Sequence, residues 1–340
     1  MGAALDIEQP TMLLAYLQRT GRIGTEEQPQ IQPLAGGVSN RTVLVQRANG
    51  AAWVLKQALR QLRVAVPWFS APERIHREAL GMRTLATLAP AGATTALIWE
   101  DWDEHLLAMA AVPQPHVNWK SLLLAEYVDL EHVTQFGRLL GTIQRRAWDE
   151  RAHLASQFAD RDFFESLRLE PYYAYTATQV PAARAAIERL LDETRAASIT
   201  LVHGDYSPKN ILIHAGRLVL LDHEVIHWGD PAFDVGFGMT HLLSKAHHLI
   251  HSRFTFMHAA HAFWASYQAA LGVVPWQDGL EPRAVRHTLG CLLARVAGRS
   301  PLEYLTDRER SAQQRAVLAL LDAPPATMRS LIANFIARIG

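Results

Sequence analysis

The spacing of apolar residues switches between helical and strand period several times along the chain. Residues 11–19 place Met12, Leu13, Tyr16 and Leu17 at helical spacing and predict a short leading helix that Gly21 ends. The period then shortens to that of strands over 31–34, 42–46 and 52–55, joined through Gly36-Gly37 and through Asn49-Gly50, a hairpin-turn dipeptide. Lys56 directly follows the third of these strands, an unusual place for a charge unless an anion meets it. Ser70-Ala71-Pro72-Glu73 combines a capping box with an early proline, and predicts a helix that runs to about Leu88 and carries Glu78. Residues 96–99 and 106–111 read as two more strands. Residues 1–112 are therefore expected to form a small lobe, a five-stranded antiparallel sheet with one packed helix behind the leading one.

Val112-Pro113-Gln114-Pro115 breaks the pattern and predicts a hinge. Residues 113–340 then read as a larger, mainly helical lobe. Helices are expected at 122–124, at 134–148 with Phe136, Leu139, Leu140 and Ile143 on one face, at 181–195, and almost throughout after Asp230-Pro231. Short apolar runs at 199–202, 211–213 and 218–221 interrupt them as strand, loop, strand, turn, strand. The fold class is α+β with two lobes.

Composition narrows the function classes. With 340 residues, 49% apolar and 19% charged, the chain reads as globular and long enough for two lobes. Lys plus Arg equals Asp plus Glu at 33 each, so no overall field points to nucleic acid or an anionic membrane as partner. The balance is uneven, however: from Val235 onward there are 11 Lys and Arg against 6 Asp and Glu. Cys291 is the single cysteine, and its apolar helical setting reads as a buried structural thiol in a reducing cytoplasm. No signal-peptide pattern or membrane-length apolar run is expected, and Asp6 spoils an acylation signal at Met1-Gly2.

The short strands carry the chemistry. Between the first two lies His203-Gly204-Asp205-Tyr206-Ser207-Pro208-Lys209-Asn210, and the third delivers Asp222, His223 and Glu224. Carboxylates and an amide gathered at strand ends supply the hard oxygen donors that a magnesium–phosphate complex requires. An Asp followed five residues later by an Asn is the spacing of a phosphotransfer loop: the Asp meets the attacking hydroxyl, and the Asn and a second carboxylate, Asp222, hold metal. Lys56 on a strand and Glu78 on the next helix match the ion pair that holds the α- and β-phosphates of ATP. Each has a plainer reading, as a turn aspartate, a snorkelling lysine or a solvated glutamate; their joint presence favours the chemical one. Asp230 before Pro231 reads as a helix N-cap, and His203 as a brace for the loop. His247, His248, His251, His258 and His261 read as a polar helix face or pocket wall, since that segment offers no neighbouring carboxylate or cysteine to complete a metal site. Trp264 and Trp276 read as packing residues.

These residues together resemble the aminoglycoside phosphotransferase and choline kinase-like family, relatives of protein kinases with the same two-lobed fold. Its first signature stands here as His203, Gly204, Asp205 and Asn210, and its second as Asp222, Glu224, Gly229, Asp230, Pro231 and Asp234. The resemblance covers residue 31 to the C-terminal helices. It implies an ATP- and Mg2+-dependent kinase of small molecules, with GTP as the alternative nucleotide. Asp205 is then catalytic, Asn210 and Asp222 bind metal, and Lys56, Glu78, Gly36, Gly37, Ser39, Ala110 and Val112 lie on the nucleotide side; Asp234 hydrogen-bonds the catalytic loop. The first lobe departs from the pattern in having only two glycines in Leu34-Ala35-Gly36-Gly37-Val38-Ser39-Asn40. Protein-kinase activity fits less well, because Ser207 stands where those enzymes have a lysine, Asp222-His223-Glu224 replaces Asp-Phe-Gly, and little chain remains for an activation segment. The basic C-terminal third favours a neutral or anionic acceptor, such as a sugar like those of the methylthioribose kinases, over a polycationic aminoglycoside. Glu224, Arg295 and Arg299 are the acceptor-side candidates; the two arginines, four apart on one helical face, read either as an exposed or structural pair or as a site for a carboxylate or phosphate. Two other classes compete: a metal-dependent phosphohydrolase with His203, Asp205, Asp222 and His223 as ligands, and an inactive nucleotide-binding module.

Overall fold

The computed structural model describes residues 5–34, 37–63 and 67–339. The chain divides into two compact units, residues 1–87 with 94–114, and residues 88–93 with 115–340.

The first unit opens with α1 (Pro10–Arg19), whose proline at the start is preset for a helix and whose Leu13, Tyr16 and Leu17 are buried. Five strands follow, β1 (Gln30–Pro33), β2 (Asn40–Gln46), β3 (Ala52–Ala58), β4 (Leu97–Asp101) and β5 (Leu106–Ala110), with α2 (Arg74–Leu88) between β3 and β4. They form one antiparallel sheet in the order β1-β2-β3-β5-β4. The two-residue period of a strand divides the sheet between two cores. Val43, Val45, Trp53, Leu55, Leu106 and Ala108 pack on α1, and Ala58, Leu107 and Met109 pack on Ile75, Ala79 and Met82 of α2. Lys56 shares the parity of Ala58, so it faces α2.

Two local expectations change. Lys56 lies within β3, opposite Thr42 and Leu107, rather than beyond its end. The helix expected from Ser70 starts at Arg74, and the Ser70 hydroxyl is buried without a hydrogen-bond partner, so it caps nothing. The cause is Arg74 itself: its fully buried guanidinium donates to the carbonyls of Ser39, Leu59, Ser70 and Ala71, holding the approach in turns until the helix begins.

The second unit is mainly helical. It runs β6 (His116–Asn118), α3 (Trp119–Leu124), α4 (Leu130–Asp149), α5 (Arg151–Gln157) and α6 (Asp162–Phe164), then through a π-helical stretch, Glu165–Ala174, into α7 (Tyr175–Gln179) and α8 (Arg184–Ala196). Next come β7 (Thr200–Val202), β8 (Ile211–His214), β9 (Arg217–Leu220) and β10 (His227–Gly229). The unit closes with α9 (Pro231–His248), α10 (Arg253–Leu271), α11 (Leu280–Ala297), α12 (Asp307–Asp322) and α13 (Met328–Ile339). The three strands expected here do not share a ladder: β7 pairs with β10, and β8 pairs with β6 and β9. β6 and β10 are three residues each, too short for a readable period. Nor does the sequence pattern predict the stretch from α5 to α7: α5 buries only Leu154, and the π-helical turns of Glu165–Ala174 break the 3.6-residue repeat. α9 is buried on all sides and forms the centre of the unit.

Among the described residues no helix is long and apolar enough to cross a membrane.

α4 and α10 meet backbone to backbone. A Cβ on Gly137 would collide with Ser266 Oγ and stand 2.5 Å from the Phe263 carbonyl oxygen, and one on Gly141 would stand 2.5 Å from that of Tyr267. Gly137→Ala should therefore lower stability by about 2–3 kcal/mol despite alanine's better helix propensity. Chemical denaturation checks this, and an unchanged or raised midpoint would contradict the packing.

Candidate active site

The loop from His203 to Asn210 leaves β7 and is fixed from below by α9. Asp230 caps that helix, its Oδ1 accepting from the Ala232 amide at 3.0 Å while Arg283 Nε stands 3.1 Å from Oδ2. One turn on, the fully buried Asp234 accepts the amide of His203 on Oδ2 at 2.7 Å and that of Gly204 on Oδ1 at 2.8 Å. Burial pushes its pKa up to about 7, against the pull of these bonds and of Gln144. Gly204 is required at its position: its φ is +78°, and a Cβ there would come within 2.9 Å of Val225 Cγ2. Tyr206 pins the next turn, its ring stacked on Phe136 at 4.3 Å and its hydroxyl donating to the Phe136 carbonyl at 2.7 Å.

His203 braces the loop from within. Its Nδ1 accepts the Asp205 amide at 3.2 Å, which leaves the proton on Nε2 to be donated to His223 Nδ1 at 3.1 Å. Burial lowers its pKa to about 4, so the ring is neutral near pH 7.

Asp205 is 3% exposed, yet its charge is well compensated. Arg168 lies 2.8 Å from Oδ2, the Asn210 amide donates to the same oxygen at 2.8 Å, and Lys209 stands 3.8 Å from it. Burial alone would raise the pKa; Arg168, then Lys209 and the Asn210 bond, hold it below the usual carboxylate value. All three contacts fall on Oδ2, so Oδ1 is the oxygen left for a ligand. Asn210 returns to Asp205 because Pro208–Asn210 forms a 3-10 turn. Its amide nitrogen is committed to the Asp205 carboxylate and carbonyl, so its amide oxygen points away as a metal-type donor.

The Asn210 carbonyl accepts from the Leu221 amide at 2.9 Å, tying the loop to the segment that carries Asp222. Asp222 has a φ of +68°, a left-handed conformation that costs an L-residue about 1 kcal/mol or more. His223 and Glu224 follow it and are buried.

The other residues predicted from the sequence fall as follows. Lys56 and Glu78 meet at 2.6 Å, both at least nine-tenths buried, on the parity that turned Lys56 toward α2. Gly36 lies outside the described residues. Gly37 precedes the buried Ser39, whose carbonyl accepts from the Leu59 amide at 3.0 Å. Ala110 ends β5 opposite Trp53, and Val112 is buried just beyond. Arg295 is buried on α11, but Arg299 lies past the end of that helix and pairs with Glu170 at 2.9 Å, so the two share no helical face. His247 and His248 are held by the carbonyl and the carboxylate of Glu309, each at 2.9 Å. Among the described residues no group of three or more His, Cys, Asp or Glu side chains could hold a metal. Arg168 is the site residue the sequence did not reveal; a lone arginine between Leu167 and Leu169 carries no readable signal.

A sequence profile described as the phosphotransferase enzyme family (APH) matches residues 30–274. The chain belongs to this family. Its fold is shared with solved phosphotransferase enzymes at low identity. A choline/ethanolamine kinase family protein from Mesorhizobium loti is 13% identical with a TM-score of 0.53, covering 97% of this chain and 98% of its own. The gentamicin complex of APH(2″)-IIa is 15% identical with a TM-score of 0.52, covering 96% and 99%. An amicoumacin kinase solved with AMP-PNP, Ca2+ and its antibiotic is 15% identical with a TM-score of 0.50, covering 88% and 90%. No curated protein matches the sequence. Family membership makes the chain an enzyme that transfers a phosphoryl group, with the kinase-like fold of these neighbours.

The left-handed backbone of Asp222 gives a test free of any assay. Asp222→Gly should be about 1 kcal/mol more stable than Asp222→Ala, since both remove the carboxylate and only glycine relieves the conformation. Equal denaturation midpoints would contradict the strain.

Proposed function

We propose that this family member is an ATP- and Mg2+-dependent kinase of the cytoplasm that moves the γ-phosphate to a hydroxyl of a small molecule. The observation that carries the reading is the division of labour on Asp205: among the described residues Arg168, Lys209 and Asn210 all meet Oδ2, and Oδ1 is left to receive an acceptor hydroxyl. Its lowered pKa keeps it ionised near neutrality, ready to orient that hydroxyl and take its proton as the phosphoryl bond forms. Asn210 and Asp222 would hold the metal, and the donor set fits: an amide oxygen and a carboxylate are hard ligands. When bound, the ion offsets charge on the phosphate oxygens and orients them. Lys56, kept in place by Glu78, would hold the α- and β-phosphates, with the backbone of Gly36, Gly37 and Ser39 covering them and Ala110 and Val112 also on the nucleotide side. Glu224 and Arg295 would lie on the acceptor side, whereas Arg299 is paired with Glu170. The basic C-terminal third supports a neutral or anionic metabolite, such as a sugar, over an aminoglycoside.

The phosphohydrolase alternative needs His203 as a metal ligand, and both of its ring nitrogens are already engaged, by the Asp205 amide and by His223. The inactive module requires a missing group, and Asp205, Asn210, Asp222, Lys56 and Glu78 are all present.

The test is ADP release by the purified protein against sugars, amino alcohols, nucleosides and aminoglycosides. Turnover should require a divalent cation, vanish with EDTA and return with Mg2+. Asp205→Asn should cost at least about 10³-fold in kcat while nucleotide binding persists. Phosphate release without any acceptor, or an Asp205→Asn enzyme within about tenfold of wild type, would overturn the reading.

A further inference from the structure

The second unit holds two buried basic side chains, Lys245 and Arg295, to which no carboxylate among the described residues is bonded, the nearest acid acting on both being Glu303. Lys245 on α9 is fully buried, and among the described residues its amine has a single hydrogen-bond partner, the His241 carbonyl at 3.2 Å. Arg295 on α11 is 8% exposed. Its terminal nitrogens meet the Ser300 carbonyl at 2.8 Å, the Ser300 hydroxyl at 3.1 Å and His241 Nε2 at 3.4 Å, but no carboxylate. Its Nε is buried with no hydrogen-bond partner, as is the Tyr304 hydroxyl. The Tyr304 ring lies 5.4 Å from the Lys245 ammonium. Lys120 on α3 adds a further positive charge, and the carboxylate that faces the group, Glu303, is bonded to it. Glu170, two residues before Tyr172, is paired with Arg299.

Burying charge without a partner costs several kcal/mol per ion, so a fold retains such a group only against a gain elsewhere. The cost is visible locally. Burial, then the charge of Lys120, pushes the Lys245 pKa down to about 7, and burial and Arg295 hold His241 neutral. A guanidinium and an amine that takes up a proton as pH falls through about 7, both with unused donors and walled by the rings of Tyr172, Phe237 and Tyr304, have the chemistry of an oxyanion seat.

The position of the group relates it to the reaction. Tyr172 lies under Arg295 at 4.8 Å and under Arg168 at 6.0 Å, and Arg168 is the guanidinium that grips Asp205. Arg295 and the arginine on the catalytic carboxylate therefore share one aromatic ring. Half-buried Lys120 and Tyr304 form the more open side of the group.

We propose that the acceptor carries an oxyanion, a carboxylate or a phosphate, which seats on Arg295 and Lys245 while its hydroxyl meets Asp205. This rests on the kinase reading and narrows its acceptor to an anionic hydroxy compound. It extends the acceptor side from Arg295 to Lys245, His241, Lys120 and Tyr304, and it excludes Arg299, whose charge Glu170 already meets.

The experiment measures anion binding and turnover separately. Calorimetric titration with inorganic phosphate and with acetate, in buffer free of other oxyanions, is run on wild type, Lys245→Met, Arg295→Met and, as a control at an exposed position of α8, Arg189→Met. At least one anion should bind wild type and Arg189→Met alike, and bind Lys245→Met and Arg295→Met at least about tenfold more weakly. Which anion binds decides between phosphate and carboxylate. In anion-free buffer Lys245→Met should also raise Tm, because it removes an uncompensated buried charge while keeping the side chain's volume. If Arg295→Met fails to fold, Lys245→Met decides alone. Binding of neither anion, or binding that Lys245→Met leaves unchanged, overturns the proposal. In ADP release, gluconate or glucose 6-phosphate should exceed glucose by the same factor, and a preference for glucose also overturns it. Anion binding that depends on Lys245 without turnover of any acceptor would instead sustain the oxyanion seat and bring down the kinase reading.

Discussion

The catalytic loop rests on one carboxylate. Asp234 points both oxygens at consecutive backbone amides, His203 and Gly204, from the first turn of a helix that is buried on every side. A buried carboxylate is costly, and the raised pKa of about 7 records that cost. What it secures is direction. With both amides fixed, Gly204 adopts its positive φ, His203 turns inward to hold the Asp205 amide, and Asp205 emerges aimed at Arg168 and Asn210. Preorganisation of this kind is the larger part of catalysis in phosphoryl transfer, where the protein aligns and neutralises rather than forming covalent bonds.

Charge is handled in two ways in this molecule. Lys56 with Glu78, and Arg168 with Asp205, are buried ion pairs in which each member removes the other's desolvation problem. Lys245 and Arg295 have rings, carbonyls and a neutral imidazole around them and no carboxylate of their own. The contrast separates charges that hold the scaffold from charges that await a partner. It also shows why the overall balance of 33 against 33 says little: the chemistry lies in where compensation is withheld.

The sequence exposed what is local or periodic. Asp205 and Asn210 are five residues apart and bonded through a single 3-10 turn, so their spacing alone carried the motif. The five-stranded sheet was legible because its strands are short apolar runs bounded by turn residues and Asn49-Gly50 marks a hairpin. Arg168 was not, because only a π-helical stretch delivers it to Asp205 from 37 positions upstream. The capping motif at Ser70 misled, because a buried arginine four residues on took the carbonyls that an immediate helix start would have used. Arg295 and Arg299 looked like a pair until the helix ended between them. Tertiary contacts decided each of these, and sequence spacing does not record them.

The most direct measurement is kcat of Asp234→Asn, on protein shown by circular dichroism to keep its helix content. Asparagine retains the shape but can accept only one of the two amides on oxygen, its NH2 facing the other. A folded variant with kcat reduced at least about 10²-fold and nucleotide affinity nearly unchanged is the predicted result, since misplacing a catalytic group by about 1 Å suffices for that loss. A folded Asp234→Asn enzyme with wild-type kcat would contradict the claim that this carboxylate sets the geometry of the reaction.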